Sequence, residues 1–143
     1  MRRMNGRIDH ANLVVRDIDA MIRFLTTAFP QFRIRADVTE KDGGRWVHVG
    51  TDESYIAVNG STKQPPFRWT PYQGFPGVNH LGFETDDADA LRERMIAAGY
   101  RESTVPNNHP FRKRVYFYDA EGNDWEFVEY LSDKPEERND YSR

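Results

Sequence analysis

The sequence predicts an α+β chain in which one order of elements occurs twice: a strand, a helix, then further strands. Three observations predict it. "IDHANLVV" (8–15) and "VNHLGFE" (78–84) are both strand-like, and each has a histidine near its start. Each is followed by an aspartate and a helical apolar stripe. An offset of 70 positions, from 10 to 80, carries His10 onto His80, Asp17 onto Asp87, Asp19 onto Asp89, Ala20 onto Ala90 and Ala28 onto Ala98. Such self-similarity across a strand and a helix marks an internal duplication.

The elements follow in order. In the first strand Ile8, His10, Asn12 and Val14 share one face, and Asp9, Ala11, Leu13 and Val15 the other. Asp17 is placed to cap a helix whose stripe is Ile18, Met21, Ile22 and Leu25, and Pro30 stops it. "FRIRAD" reads as a short strand. "GGRWVHVGTDESYIAVNG" reads as two strands around a polar turn. Pairing Gly50 with Tyr55 sets His48 across from Ala57. In the second half, Asp86 or Asp87 caps a helix that ends at Gly99. "KRVYFYDAEGNDWEFVEYL" then reads as two strands around a Gly-Asn turn. The expected organisation is one domain, 1–143. It comprises module 7–60, module 77–131, a Pro-rich aromatic linker 61–76 and an exposed polar tail 132–143.

Composition bounds the function. The 143 residues are 38% hydrophobic and 30% charged, which suits a globular chain that can bury a core. A net charge of -3 argues against nucleic acid as partner. There are no cysteines, hence no disulfide framework and no thiolate chemistry, which fits a cytoplasmic protein. The N-terminus lacks the apolar core of a signal peptide, and no apolar run reaches membrane-spanning length.

The duplication gives the two histidines a meaning. Copies of one module often pack about a pseudo-twofold axis, so His10 and His80 can converge on one point. Two neutral imidazoles meeting there are poor packing and good metal ligands. A third ligand comes from the last strands. Aligning "SYIAVN" with "DWEFVEY" sets Ala57 opposite Glu126, a carboxylate between the large apolar residues Trp125 and Phe127. The expected set is His10, His80 and Glu126, a facial triad with positions left open. Glu126 is also the candidate catalytic carboxylate. Glu129 is a rival carboxylate, but it lies on the opposite face with Trp125 and Phe127, near the strand end, and is expected to be solvated.

At these residues the sequence resembles the vicinal oxygen chelate superfamily. That superfamily includes glyoxalase I, extradiol dioxygenases, methylmalonyl-CoA epimerase, and fosfomycin and bleomycin resistance proteins. The resemblance runs from about Arg7 to Tyr130 and rests on "IDHANLVVRDIDAMIRFL", "VNHLGFETDDADAL" and "YFYDAEGNDWEF". The last is similar to the family's Asp-Pro-x-Gly-Asn turn, with Ala120 in place of the proline. The resemblance implies paired βαββ modules forming an open, incomplete β-barrel around a metal. It also implies one divalent ion (Fe, Mn, Ni, Co or Zn) on His10, His80 and Glu126. Where glyoxalase I and the epimerase have a fourth ligand, this chain has Ala57. The site is therefore similar to the three-ligand pattern of extradiol dioxygenases and fosfomycin-modifying transferases.

Other residues are candidates for substrate contact or an extra ligand: His48 across from Ala57, and His109, Arg112, Lys113 and Arg114 in a basic, aromatic-flanked stretch. "PPFRWTPYQGFPG" is a candidate cavity wall or dimer contact. The leading expectation is a metal-dependent glyoxalase-like lyase or isomerase acting on a small oxygenated substrate, as a homodimer. The alternatives are an Fe(II) extradiol-type dioxygenase, a thiol transferase that inactivates an antibiotic, and a metal-free drug-binding protein.

Overall fold

A computed structural model of the chain describes residues 5–64, 70–106 and 108–142. The "PPFRW" part of the linker, 65–69, lies outside the described residues, as do 1–4. Two compact units divide the chain, residues 1–66 and 67–143.

The first unit contains β1 (His10–Val15), α1 (Ile18–Ala28), β2 (Arg33–Thr39), β3 (Arg45–Gly50) and β4 (Tyr55–Gly60). Its sheet runs in the order β1-β4-β3-β2. The second unit contains β5 (His80–Glu84), α2 (Ala88–Ala97), β6 (Asn108–His109), β7 (Arg112–Tyr118), β8 (Asp124–Tyr130) and a short α3 (Pro135–Arg138). Its sheet runs β5-β8-β7-β6. The two orders are the same. In each unit the first strand pairs parallel with the last, and the other neighbours are antiparallel. Both sheets are open, and the class is α+β as expected.

Equivalent residues start the two helices. The Asp17 side chain accepts from the Ala20 N–H at 2.9 Å, and that of Asp87 from the Ala90 N–H at 2.9 Å. Each cap satisfies an amide that the helix itself cannot. α1 ends at Ala28, just short of Pro30, and Gly99 follows α2 with φ +87. That left-handed conformation suits glycine.

Each helix covers one face of its own sheet. In the first unit Met21, Phe24 and Leu25 are buried with Val47, Val49, Ile56 and Val58. In the second, Leu91 and Met95 are buried with Val115, Phe117, Trp125 and Phe127. Strand alternation then puts His10, His48 and Tyr55 on the face of the first sheet turned away from α1. It puts His80, Tyr116 and Glu126 on the face of the second sheet turned away from α2. Ligand-type side chains and core therefore lie on opposite sides of each sheet.

One reading is borne out and extended, and two need correction. "FRIRAD" belongs to a seven-residue strand, β2, with a register shift between Ile34 and Ala36. The tail is not simply exposed: α3 forms in it, and the carbonyls of Arg138 and Asp140 accept from the buried Arg112. Glu129 is not simply solvated: its carboxylate accepts from the Ala88 N–H at 2.9 Å at the start of α2.

Candidate metal centre

The turn before β8 aims Glu126. Asp119, 6% exposed, accepts from the backbone N–H groups of Glu121 and Asn123, from the Asn123 amide and from the Trp125 indole. Gly122 takes φ +86, which the turn requires. With Trp125 pinned into the core, the next side chain must face the other way. Gly82, across from Glu126 on β5, has no side chain to fill that space.

His80 opens β5 beside it. Its Nε2 lies 3.0 Å from Glu126 Oε2, and its Nδ1 lies 2.8 Å from Asn79 Oδ1. Two acceptors flank the ring. Donor atoms bound to one ion at roughly 2.1 Å and at right angles lie about 3 Å apart, so the His80–Glu126 spacing suits a shared metal. Holding Nδ1 with an outer oxygen is how proteins fix a ligand imidazole for coordination through Nε2. Tyr116, paired with Glu126 across β7 and β8, sets its ring edge-on to His80 at 5.9 Å. Burial, and then the Glu126 charge, push the Tyr116 phenol up, so it stays protonated near neutral pH. Tyr72 stacks on His80 at 6.3 Å and donates its hydroxyl to the buried Asp124.

His10 repeats the arrangement in the first unit. Its Nδ1 lies 2.9 Å from Asp9 Oδ2. The ring stacks on Tyr55 at 4.8 Å, His48 meets the same tyrosine at 4.5 Å, and the Arg35 guanidinium lies over it at 4.1 Å. His48 pairs with Ala57 and Gly50 with Tyr55, as the hairpin reading expects. Burial, then the charges of Arg35 and His10, hold the His48 imidazole below its usual range.

The registers settle where Ala57 belongs. On β1, Asn12, two residues after His10, pairs with Ala57. On β5, Gly82, two residues after His80, pairs with Glu126. Ala57 thus stands to His10 as Glu126 stands to His80.

Among the described residues, no group of three or more His, Cys, Asp and Glu is gathered closely enough to hold a metal ion. The pair brought together is His80 with Glu126; His10 belongs to the other unit. Of the remaining candidates, Lys113 reaches Asp89 at 2.5 Å, and Arg112 is spent on the tail carbonyls and the Tyr141 ring. His109 and Arg114 each keep a buried nitrogen that has no hydrogen-bond partner among the described residues. Sequence reasoning missed Asp9, Asn79 and Tyr116. The first two had a signal: a side-chain acceptor precedes both histidines at the same 70-residue offset.

The sequence profile of the glyoxalase/bleomycin resistance protein/dioxygenase superfamily matches residues 7–127. The chain belongs to that superfamily. The vicinal oxygen chelate resemblance is thereby upheld at the family level. Solved structures share the fold. The fosfomycin resistance protein FosX from Mesorhizobium loti is 24% identical, with TM-score 0.67 over 94% of this chain and 98% of that one. A glyoxylase/bleomycin resistance protein/dioxygenase domain from Frankia sp. EAN1pec is 20% identical, with TM-score 0.71 over 96% and 100%. A FosX variant from Listeria monocytogenes, complexed with Mn(II) and 1S,2S-dihydroxypropylphosphonic acid, is 19% identical, with TM-score 0.70 over 94% and 98%. None of the curated proteins matches the sequence. Among the described residues, no helix is long and apolar enough to cross a membrane.

Proposed function

We propose that this superfamily member is a metal-dependent, glyoxalase-like enzyme of the lyase or isomerase type. It chelates a small oxygenated substrate through one divalent ion held by His10, His80 and Glu126. The observation that carries the reading is the 3.0 Å approach of His80 Nε2 to Glu126 Oε2, with Nδ1 backed by the preceding residue in both His10 and His80. The Mn(II) complexes of FosX support a divalent ion in such a fold.

When bound, the ion would supply Lewis acidity toward adjacent substrate oxygens. The chain's own residues do the rest. His10 and His80 present imidazoles oriented by Asp9 and Asn79. Ala57 contributes no donor atom, which leaves positions for substrate. Tyr116, protonated and beside Glu126, is placed to give a hydrogen bond to an oxyanion that develops on the substrate. Glu126 is the carboxylate assigned as base for a substrate proton.

Ala57 also favours a second reading, an Fe(II) extradiol-type dioxygenase, because a three-ligand site leaves room for dioxygen. Elemental analysis of anaerobically purified protein tests the common core. One equivalent of a divalent metal, lost in His10→Ala, His80→Ala and Glu126→Ala, is expected. Full occupancy in all three variants would refute it. Turnover of a hemithioacetal against oxygen uptake with a catechol separates the two readings. The enzyme is read as a cytoplasmic homodimer, since open sheet edges favour twofold association. A monomer by sedimentation at micromolar concentration would overturn that.

A further inference from the structure

Two buried donors in the second unit lack acceptors. Among the described residues, the buried side-chain polar atoms without a hydrogen-bond partner are His109 Nε2 and Arg114 Nε. Both donate. His109 Nδ1 accepts from the Phe111 N–H at 3.1 Å, which leaves the ring proton on Nε2. A guanidinium has donors only. No buried side-chain acceptor is left over among the described residues to match them. Orphaned buried polar groups of one kind call for a partner of the opposite kind.

Register puts the two on one face. His109 pairs with Arg112 across the β6–β7 turn, and Arg114 lies two residues farther along β7. Tyr116 is two residues beyond that and pairs with Glu126. All of these take the same side of the sheet. The other cations of the stretch are matched. Lys113 points the other way and meets Asp89, and Arg112 serves the tail. Arg114 forms no ion pair among the described residues.

We propose that His109 and Arg114 form an oxyanion subsite for a carboxylate, phosphate or phosphonate group. A guanidinium presents parallel N–H groups to two oxygens of such a group, and a neutral imidazole N–H adds a third donor. Two strand residues span about 6.6 Å, so the anion lies about that far along β7 from Tyr116. As a statement about the substrate of the proposed metal centre, this rests on that reading: the substrate is a compact anion whose charged group lies a few bonds from its chelating oxygens. The subsite itself does not need the metal.

Titration of inorganic phosphate into the full-length protein, followed by calorimetry, tests it. The protein is used once after EDTA treatment and once reloaded with Mn(II). Phosphate is expected to bind in both states. Arg114→Ala and His109→Ala should each weaken it about tenfold or more. Lys113→Ala, which removes a cation already matched by Asp89, should leave it unchanged. If Arg114→Ala does not fold, Arg114→Lys and His109→Gln carry the comparison at native secondary structure by circular dichroism. Three results overturn the subsite: no phosphate binding after EDTA, equal weakening by Lys113→Ala, or binding indifferent to both residues. Phosphate binding that persists while Mn(II) fails to load refutes the metal reading instead and leaves the subsite standing.

Discussion

Ala57 and Glu126 occupy one position in two copies of the same sheet, each paired with the residue two beyond its module's histidine. One copy keeps a carboxylate there and the other a methyl group. Restoring the missing oxygen, Ala57→Glu, is expected to tighten the divalent ion and to weaken a bidentate hydroxamate probe, since one open position is lost. Calorimetric titration of metal and probe reads both. Unchanged affinities would mean that Ala57 does not face the ion.

On the proposed metal reading, the outer oxygens should matter almost as much as the ligands. Asn79→Ala removes the acceptor 2.8 Å from His80 Nδ1, and Asp9→Ala removes the one 2.9 Å from His10 Nδ1. Each is expected to loosen metal binding by about tenfold or more with the fold intact. Competition against a fluorescent chelator measures it. An effect at Asn79 alone would exclude His10 from the ligand set.

His48 makes acid stability testable. Its folded form titrates below the usual imidazole range, so between that lowered value and about pH 6.5 the unfolded chain binds more protons. Stability from this group is therefore full above that window and falls as pH drops through it. His48→Gln should lose less stability than wild type between pH 7 and pH 5, read from urea midpoints. Parallel losses would show that His48 plays no part.

Asp119 holds the turn that aims Glu126. Asp119→Ala strands the Trp125 indole N–H and three other donors, two of them backbone. The expected cost is about 3 kcal/mol by urea denaturation, with a loss of metal affinity from the misplaced Glu126. Full metal affinity in a destabilised variant would separate the turn from the site.

Local chemistry was legible in the sequence. The aspartate caps, the Gly50–Tyr55 hairpin register and the duplicated order of strand and helix all depend on residues near one another in the chain or on a strict period. What was not legible depends on distant partners. β6 is two residues long and carries no period. α3 and the tail matter because Arg112 needs carbonyls, and Glu129 turns inward because α2 starts beside it. The candidate site divides in the same way. Strand alternation and the 70-residue offset picked out His10, His80 and Glu126, and the same offset reaches Asp9 and Asn79, while Tyr116 needed the pairing of β7 with β8 to come into view.

The parallel pairing of β5 with β8 has a kinetic meaning. His80 and Glu126 are separated by 46 residues, on the strand made first and the strand made last in their sheet. Of the pairings in that sheet, β5 with β8 joins the strands farthest apart in sequence, and loop closure of that length is slow relative to hairpin formation. A ligand bridging the two side chains has nothing to grip until β8 has docked on β5. Its binding energy is then coupled to the finished unit rather than to any partly folded one. Unfolding should accordingly slow when the bridge is loaded, while the rate of refolding stays almost the same.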